Sequence, residues 1–217
     1  MNGSGEFFHQ FADTFDTIYD GRRSRFMQAV DRTFRSDMFG RFNKTFEHLG
    51  DLKGKTVLDI GCGSGPYIVE ALRRGAAKVI GLDPAPRMLE IAAARLDAGK
   101  MRDRAELLHG SFPSDAQTIP GRPDVAIVMG VMDYIDEPQS FLKALAQKVG
   151  TGAVLSFPSR HWFRTPLRQV RYKLRHCPVY FYDEARIRDL MQRAGFRTVT
   201  VTKLPGAGMD YVAWGAN

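Results

Sequence analysis

The chain has 217 residues, with 31 Lys and Arg against 24 Asp and Glu and a formal net charge of +7. That length suits one α/β domain with a substantial core rather than two independent ones. A hydrophobic content of 44% and a charged content of 25% exclude wholesale disorder. The longest apolar run, 125–132 with Gly130 included, is far too short to span a membrane. Residues 1–10 show no basic region followed by an apolar stretch, so no secretory signal is expected. Two cysteines, Cys62 and Cys177, make neither a disulfide framework nor a zinc site, which points to a metal-free protein of the reducing cytoplasm.

The positive charge is unevenly spread. Residues 138–182 contain no acidic residue and hold Lys143, Lys148, Arg160, Arg164, Arg168, Arg171, Lys173 and Arg175. The remainder carries 23 basic residues against 24 acidic ones. The basic balance belongs to one segment, which weakens a nucleic-acid reading built on net charge.

In chain order, residues 6–50 read as helical. Phe7, Phe8, Phe11, Phe15, Ile18 and Tyr19 recur at three- and four-residue steps, as do Phe26, Met27, Val30 and Phe34, with a break at Asp20-Gly21. Strand and helix signals then alternate. Lys55–Ile60, Lys78–Leu82, Ala105–His109, Val125–Met129 and Ala153–Phe157 are predicted strands. Pro66–Gly75, Arg87–Ala98, Ser140–Val149 and Asp183–Ala194 are predicted helices, the last closed by Gly195. Arg197–Lys203 and Met209–Trp214 read as two antiparallel strands around the turn at 205–208. Repeated βα units imply a doubly wound, Rossmann-like parallel sheet covered on both faces, with ligands at the carboxyl ends of its strands.

The sharpest motif is Asp59-Ile60-Gly61-Cys62-Gly63-Ser64-Gly65, between a strand and a helix. Glycines serve where the chain turns tightly and a ligand approaches the backbone. A dinucleotide loop would need a glycine at position 66, where Pro66 stands. Asp59, two residues before the first glycine, would repel a pyrophosphate and suits a ligand bringing a cationic amino group. Asp83 ends the next strand, where a carboxylate can hold a ribose diol.

At these residues the chain resembles the class I S-adenosylmethionine-dependent methyltransferases. VLDIGCGSG (57–65) is similar to the family's first motif and VIGLDPAPRML (79–89) to its second. DVAIVMGVMDYIDEP (124–138) is similar to its fourth-strand block, and the AGF of 194–196 and the final strand pair follow in order. The resemblance implies one methyltransferase domain over 1–217 with a seven-stranded sheet whose last strand is antiparallel. Residues 1–50 would form a helical cap and residues 158–182 a basic lid over the substrate.

The resemblance also implies roles. Asp59 would orient the methionyl amino group, Gly61 and Gly63 would let the backbone pass beneath the homocysteine portion, and Gly65 would complete the cofactor-binding loop. Asp83 would grip the ribose, with Pro84 and Met88 against the adenine. Ser111 and Phe112 hold the position that reads the adenine edge; the family often has Asp where Ser111 stands. Met129 would offer its carbonyl to the amino group, and Tyr19 would lie over the cofactor. Asp133, Tyr134 and His161 are candidate bases. The plainer readings are a helix cap, a packed aromatic and an exposed loop residue, in that order. Cys62 reads as a small buried filler.

In the insert, Thr165-Pro166 is a helix start; Leu167, Val170 and Leu174 form an apolar stripe, and Arg168, Arg171 and Arg175 a cationic one. Those arginines either hold an anionic substrate or form a solvated face; peripheral membrane contact is a further alternative. The expected activity is methyl transfer from S-adenosylmethionine to a small, anionic acceptor, leaving S-adenosylhomocysteine (SAH) and involving neither nucleic acid nor metal. An RNA methyltransferase and a non-catalytic S-adenosylmethionine-binding or assembly protein stay open beside it. The oligomeric state and the acceptor are not legible in the sequence.

Overall fold

In the computed structural model, residues 40–159, 180–204 and 210–217 are described. Seven strands form one sheet: β1 (Thr56–Ile60), β2 (Lys78–Asp83), β3 (Ala105–His109), β4 (Val125–Val128), β5 (Gly152–Phe157), β6 (Thr198–Lys203) and β7 (Tyr211–Ala216). Their order is β3-β2-β1-β4-β5-β7-β6. Neighbours from β3 to β5 are parallel, and β7 runs antiparallel to both β5 and β6. The doubly wound sheet with an antiparallel last strand is therefore observed.

The helices are α1 (40–49), α2 (Pro66–Arg73), α3 (Pro86–Ala98), α4 (Pro138–Lys148) and α5 (Glu184–Ala194). Strand alternation assigns side chains to opposite faces. Leu58, Ile60, Leu155 and Phe157 pack with Phe141 and Leu145 of α4 and Ile187 and Met191 of α5. Val57, Val79, Ile127 and Val154 pack with Phe46 of α1, Ile68 and Leu72 of α2, and Leu96 of α3. Every residue of β4 and β5 is buried, as central strands covered on both faces require.

Element boundaries differ from the sequence expectations by one or two residues, and the causes are local. Helices α2, α3 and α4 each begin on a proline. Proline fixes φ, and its missing N–H belongs to a first turn that has no partner for it. Helix α5 starts where the Asp183 carboxylate accepts the Arg186 N–H at 2.8 Å. It ends on Gly195 at φ +111°. The turn at 205–208, most of the predicted N-terminal cap and most of the basic insert lie outside the described residues.

Candidate functional site

The glycine loop joins β1 to α2 at the point where strand order reverses, between β2 and β4. The amides of Gly61 and Cys62 both donate to the Leu82 carbonyl, at 2.8 and 3.2 Å, which ties the loop to the end of β2. Gly61, Gly63 and Gly65 all have positive φ, at +70°, +53° and +78°. Their surroundings separate them. A Cβ on Gly61 would stand 2.5 Å from Val131 Cγ2, and one on Gly65 3.1 Å from Ala92 Cβ. A Cβ on Gly63 would meet nothing within 4 Å. Gly61 and Gly65 are thus held by packing, whereas Gly63 borders open space that a ligand can enter. Beneath the loop, a Cβ on Gly81 of β2 would stand 2.6 Å from Ile68 Cδ1 and 3.0 Å from Cys62 Sγ. Cys62 is a buried filler as expected, and burial pushes its thiol well above the ordinary range.

Two carboxylates stand at the strand ends. Asp83 is 7% exposed, and the amides of Gly63 and Ala85 donate to its Oδ2 and Oδ1 at 2.8 and 2.9 Å. Burial raises its pKa and these two hydrogen bonds oppose the rise. Each oxygen keeps a second acceptor position for a diol. Asp59 is 1% exposed, and its Oδ2 has no hydrogen-bond partner. Burial, reinforced by repulsion from Asp83, pushes its pKa from 3.8 to about 8. A buried, unpartnered carboxyl oxygen is costly unless a donor arrives. The pair therefore fits a ligand that carries a cationic amino group and a vicinal diol.

Pro84 is exposed, whereas Met88 is buried beside Ala85 with Ile91 against it. His109, opposite Asp83 in the β2–β3 register, has Nε2 3.1 Å from the Pro84 carbonyl oxygen. At the end of β3 the Ser111 amide donates to Asp115 Oδ2 at 2.7 Å, so a carboxylate does stand beside Ser111. Phe112 is buried, edge-to-face with Phe141 at 5.1 Å, which leaves its backbone rather than its ring for a ligand. Beyond β4, Met129 is half-buried, and the Gly130 amide donates to Ser156 Oγ at 2.8 Å.

Asp133 is 8% exposed, and its carbonyl accepts the Tyr180 amide at 3.0 Å. It is not a helix cap: α4 begins five residues later, after Glu137. Tyr134 is half-buried. Near Asp133, the Tyr182 hydroxyl donates to the Met132 carbonyl at 3.3 Å, and burial pushes the Tyr182 pKa up to about 12. Tyr19, His161, Arg168, Arg171, Arg175 and Cys177 lie outside the described residues.

Sequence reasoning missed His109, Asp115 and Arg95. Arg95 Nη1 reaches from α3 to the Ser64 carbonyl and hydroxyl at 2.7 and 3.0 Å, bracing the glycine loop. The sole local signal was the four-residue step from Ser111 to Asp115; the other contacts are made through space. Among the described residues no group of three or more His, Cys, Asp or Glu could hold a metal ion. No described helix is long and apolar enough to cross a membrane.

A sequence model of the methyltransferase-domain family matches residues 34–201, which include the glycine loop, both carboxylates and the Met129–Tyr134 segment. The chain belongs to the methyltransferase-domain family. An uncharacterised protein of Haemophilus influenzae is 33% identical over 141 residues, covering 59% of this chain and 56% of that one. The ubiquinone biosynthesis O-methyltransferase of Serratia proteamaculans is 33% identical over 117 residues, covering 54% of this chain and 47% of that one. The chain spans about half the length of these curated relatives. The crystal structure of Synechocystis magnesium protoporphyrin IX methyltransferase with bound SAH superimposes with a TM-score of 0.77. It covers 99% of this chain and 98% of that one at 21% identity, a likeness of fold.

Proposed function

We propose that the chain is an S-adenosylmethionine-dependent methyltransferase acting on a small molecule with an anionic group. The carrying observation is the pair of buried carboxylates at the glycine loop, Asp59 with an unpartnered oxygen and Asp83 oriented by two backbone amides. S-adenosylmethionine supplies an activated methyl group, so the protein's task is chiefly to hold and align the reactants.

Asp59 and the Met129 carbonyl receive the amino group, Asp83 the ribose diol, and Gly63 admits the ligand to the backbone of a turn that Gly61 and Gly65 make possible. Pro84 and Met88 flank the adenine, and the chain at Ser111 and Phe112 reads its edge, with Asp115 beside it. Asp133, Tyr134 and His161 are the candidates for taking the acceptor's proton. The small-molecule reading is supported by the relatives, which include a ubiquinone biosynthesis O-methyltransferase and a magnesium protoporphyrin IX methyltransferase. The anionic acceptor rests on the sequence spacing of Arg168, Arg171 and Arg175, which would align them on one helix face, and Tyr19 is proposed to close the cofactor side.

Calorimetry with SAH tests the cofactor assignment. The wild-type chain should bind it, and Asp83→Ala should weaken binding at least tenfold. Undiminished binding by that variant defeats the ribose assignment, and no binding by the wild type defeats the reading as a whole.

A further inference from the structure

A carboxylate grips a diol only when both of its oxygens are presented at the right angle, so whatever sets the angle of Asp83 matters to the site. Its two anchors differ. Oδ1 accepts the Ala85 amide, and Ala85 is a fully buried residue that caps the 13-residue helix α3. Oδ2 accepts the Gly63 amide, in the part of the glycine loop that borders open space. The packing that fixes Gly61 and Gly65 does not extend to Gly63.

Gly63 and Ser64 are the central residues of a turn closed by the Gly65 amide, which donates to the Cys62 carbonyl at 3.0 Å. Glycine at φ +53° turns easily, so this segment needs a second hold. Arg95 provides one. Its Nη1 donates to the Ser64 carbonyl and hydroxyl at 2.7 and 3.0 Å, and hydrogen bonds from a cation are among the strong ones. Ala92, three residues earlier on the same face of α3, lies against Gly65. The turn is thus held at both central residues by opposite charges: an anion draws on the Gly63 N–H and a cation on the Ser64 carbonyl. The contacts close a ring that runs from Asp83 to Gly63, along the turn to Ser64, across to Arg95, and back along α3 to Ala85 and Asp83.

Resting on the cofactor reading above, we infer that Arg95 is a positioning residue for the cofactor: by gripping the glycine loop from the last turn of α3, it fixes the angle at which Asp83 meets the ribose diol. It acts through Ser64 and Gly63 rather than on the ligand.

The test is a double-mutant cycle read by calorimetric titration with SAH. Arg95→Met keeps most of the stem and removes the donors, and it should bind SAH at least threefold more weakly than wild type. Arg95→Lys should recover part of the loss, because an ammonium still donates to the Ser64 carbonyl. In an Asp83→Ala background, Arg95→Met should cost less than twofold further, since the carboxylate it orients is gone. The full loss repeated in that background, or an unchanged SAH affinity of Arg95→Met alone, overturns the inference. Ser64→Ala removes the hydroxyl but leaves the carbonyl in the grip of Arg95, so it should lose less than Arg95→Met; a greater loss would overturn the inference by placing the effect in the serine hydroxyl. Wild-type protein that binds no SAH defeats the cofactor reading itself, whereas additive losses in a wild type that does bind defeat only the role of Arg95.

Discussion

Replacing Asp59 with asparagine tests the centre of the site. With a pKa pushed to about 8, the Asp59 carboxyl is mostly protonated in the free protein at pH 7. A docked ammonium favours the ionised form, so binding at pH 7 should expel about 0.9 proton per site. Below pH 8 the affinity for SAH should rise by about a factor of ten per pH unit. Asparagine is nearly isosteric and does not ionise. Asp59→Asn loses a charged hydrogen bond worth about 1.5–3 kcal/mol, so at pH 8 it should bind SAH roughly ten- to a hundredfold more weakly.

The assay is SAH titration in phosphate and in Tris at pH 7, buffers of different ionisation heat. Wild-type heats should differ between them and the heats of the variant should not. Equal wild-type heats, or proton release that persists in the variant, would refute the reasoning. The same carboxyl affects stability with a definite sign. Between 3.8 and 8 the folded chain holds a proton that the unfolded chain releases, so stability falls as pH rises through that window. At pH 7 the cost is at most roughly 4 kcal/mol, taking about 1.36 kcal/mol per pH unit. Ligand-free Asp59→Asn should therefore melt higher than wild type at pH 7, by up to roughly 10 °C, and lose this slope.

Three further substitutions probe the loop and the basic insert. Gly61→Ala and Gly63→Ala share the cost of a left-handed residue, about 1–2 kcal/mol, but only the first drives a Cβ into Val131. Chemical denaturation should show Gly61→Ala the less stable by a further 1–3 kcal/mol or so, with Gly63→Ala losing chiefly SAH affinity; equal stabilities would refute the packing distinction. Arg171→Glu should raise the KM of an acceptor found by screening for SAH release more than it alters SAH affinity. The reverse would remove the basic insert from the proposed acceptor site.

The fold was legible where local chemistry dictates it. The βα alternation, the wholly apolar β4 and the proline, aspartate and glycine marks at helix ends are all short-range signals. Asp59 and Asp83 were legible because each stands at a fixed offset from the loop. The distinction between Gly63 and its neighbours was not, because it depends on Val131 and Ala92 arriving from other elements. Arg95 was equally hidden, since it braces Ser64 across a large sequence separation. The direction of the Phe112 ring, into the core against Phe141, was hidden for the same reason.

Gly81 has a consequence for how this site can be tuned. No ligand contact is assigned to it, yet the space it leaves empty lets Ile68 and Cys62 settle onto β2. The altitude of the glycine loop above the sheet is therefore set by one absent carbon on its underside. An alanine there would lift the floor of the site towards its occupant without altering any group that touches it. A substitution buried in the middle of a strand would thus move the loop, which makes β2 as much a part of the site's design as the loop it carries.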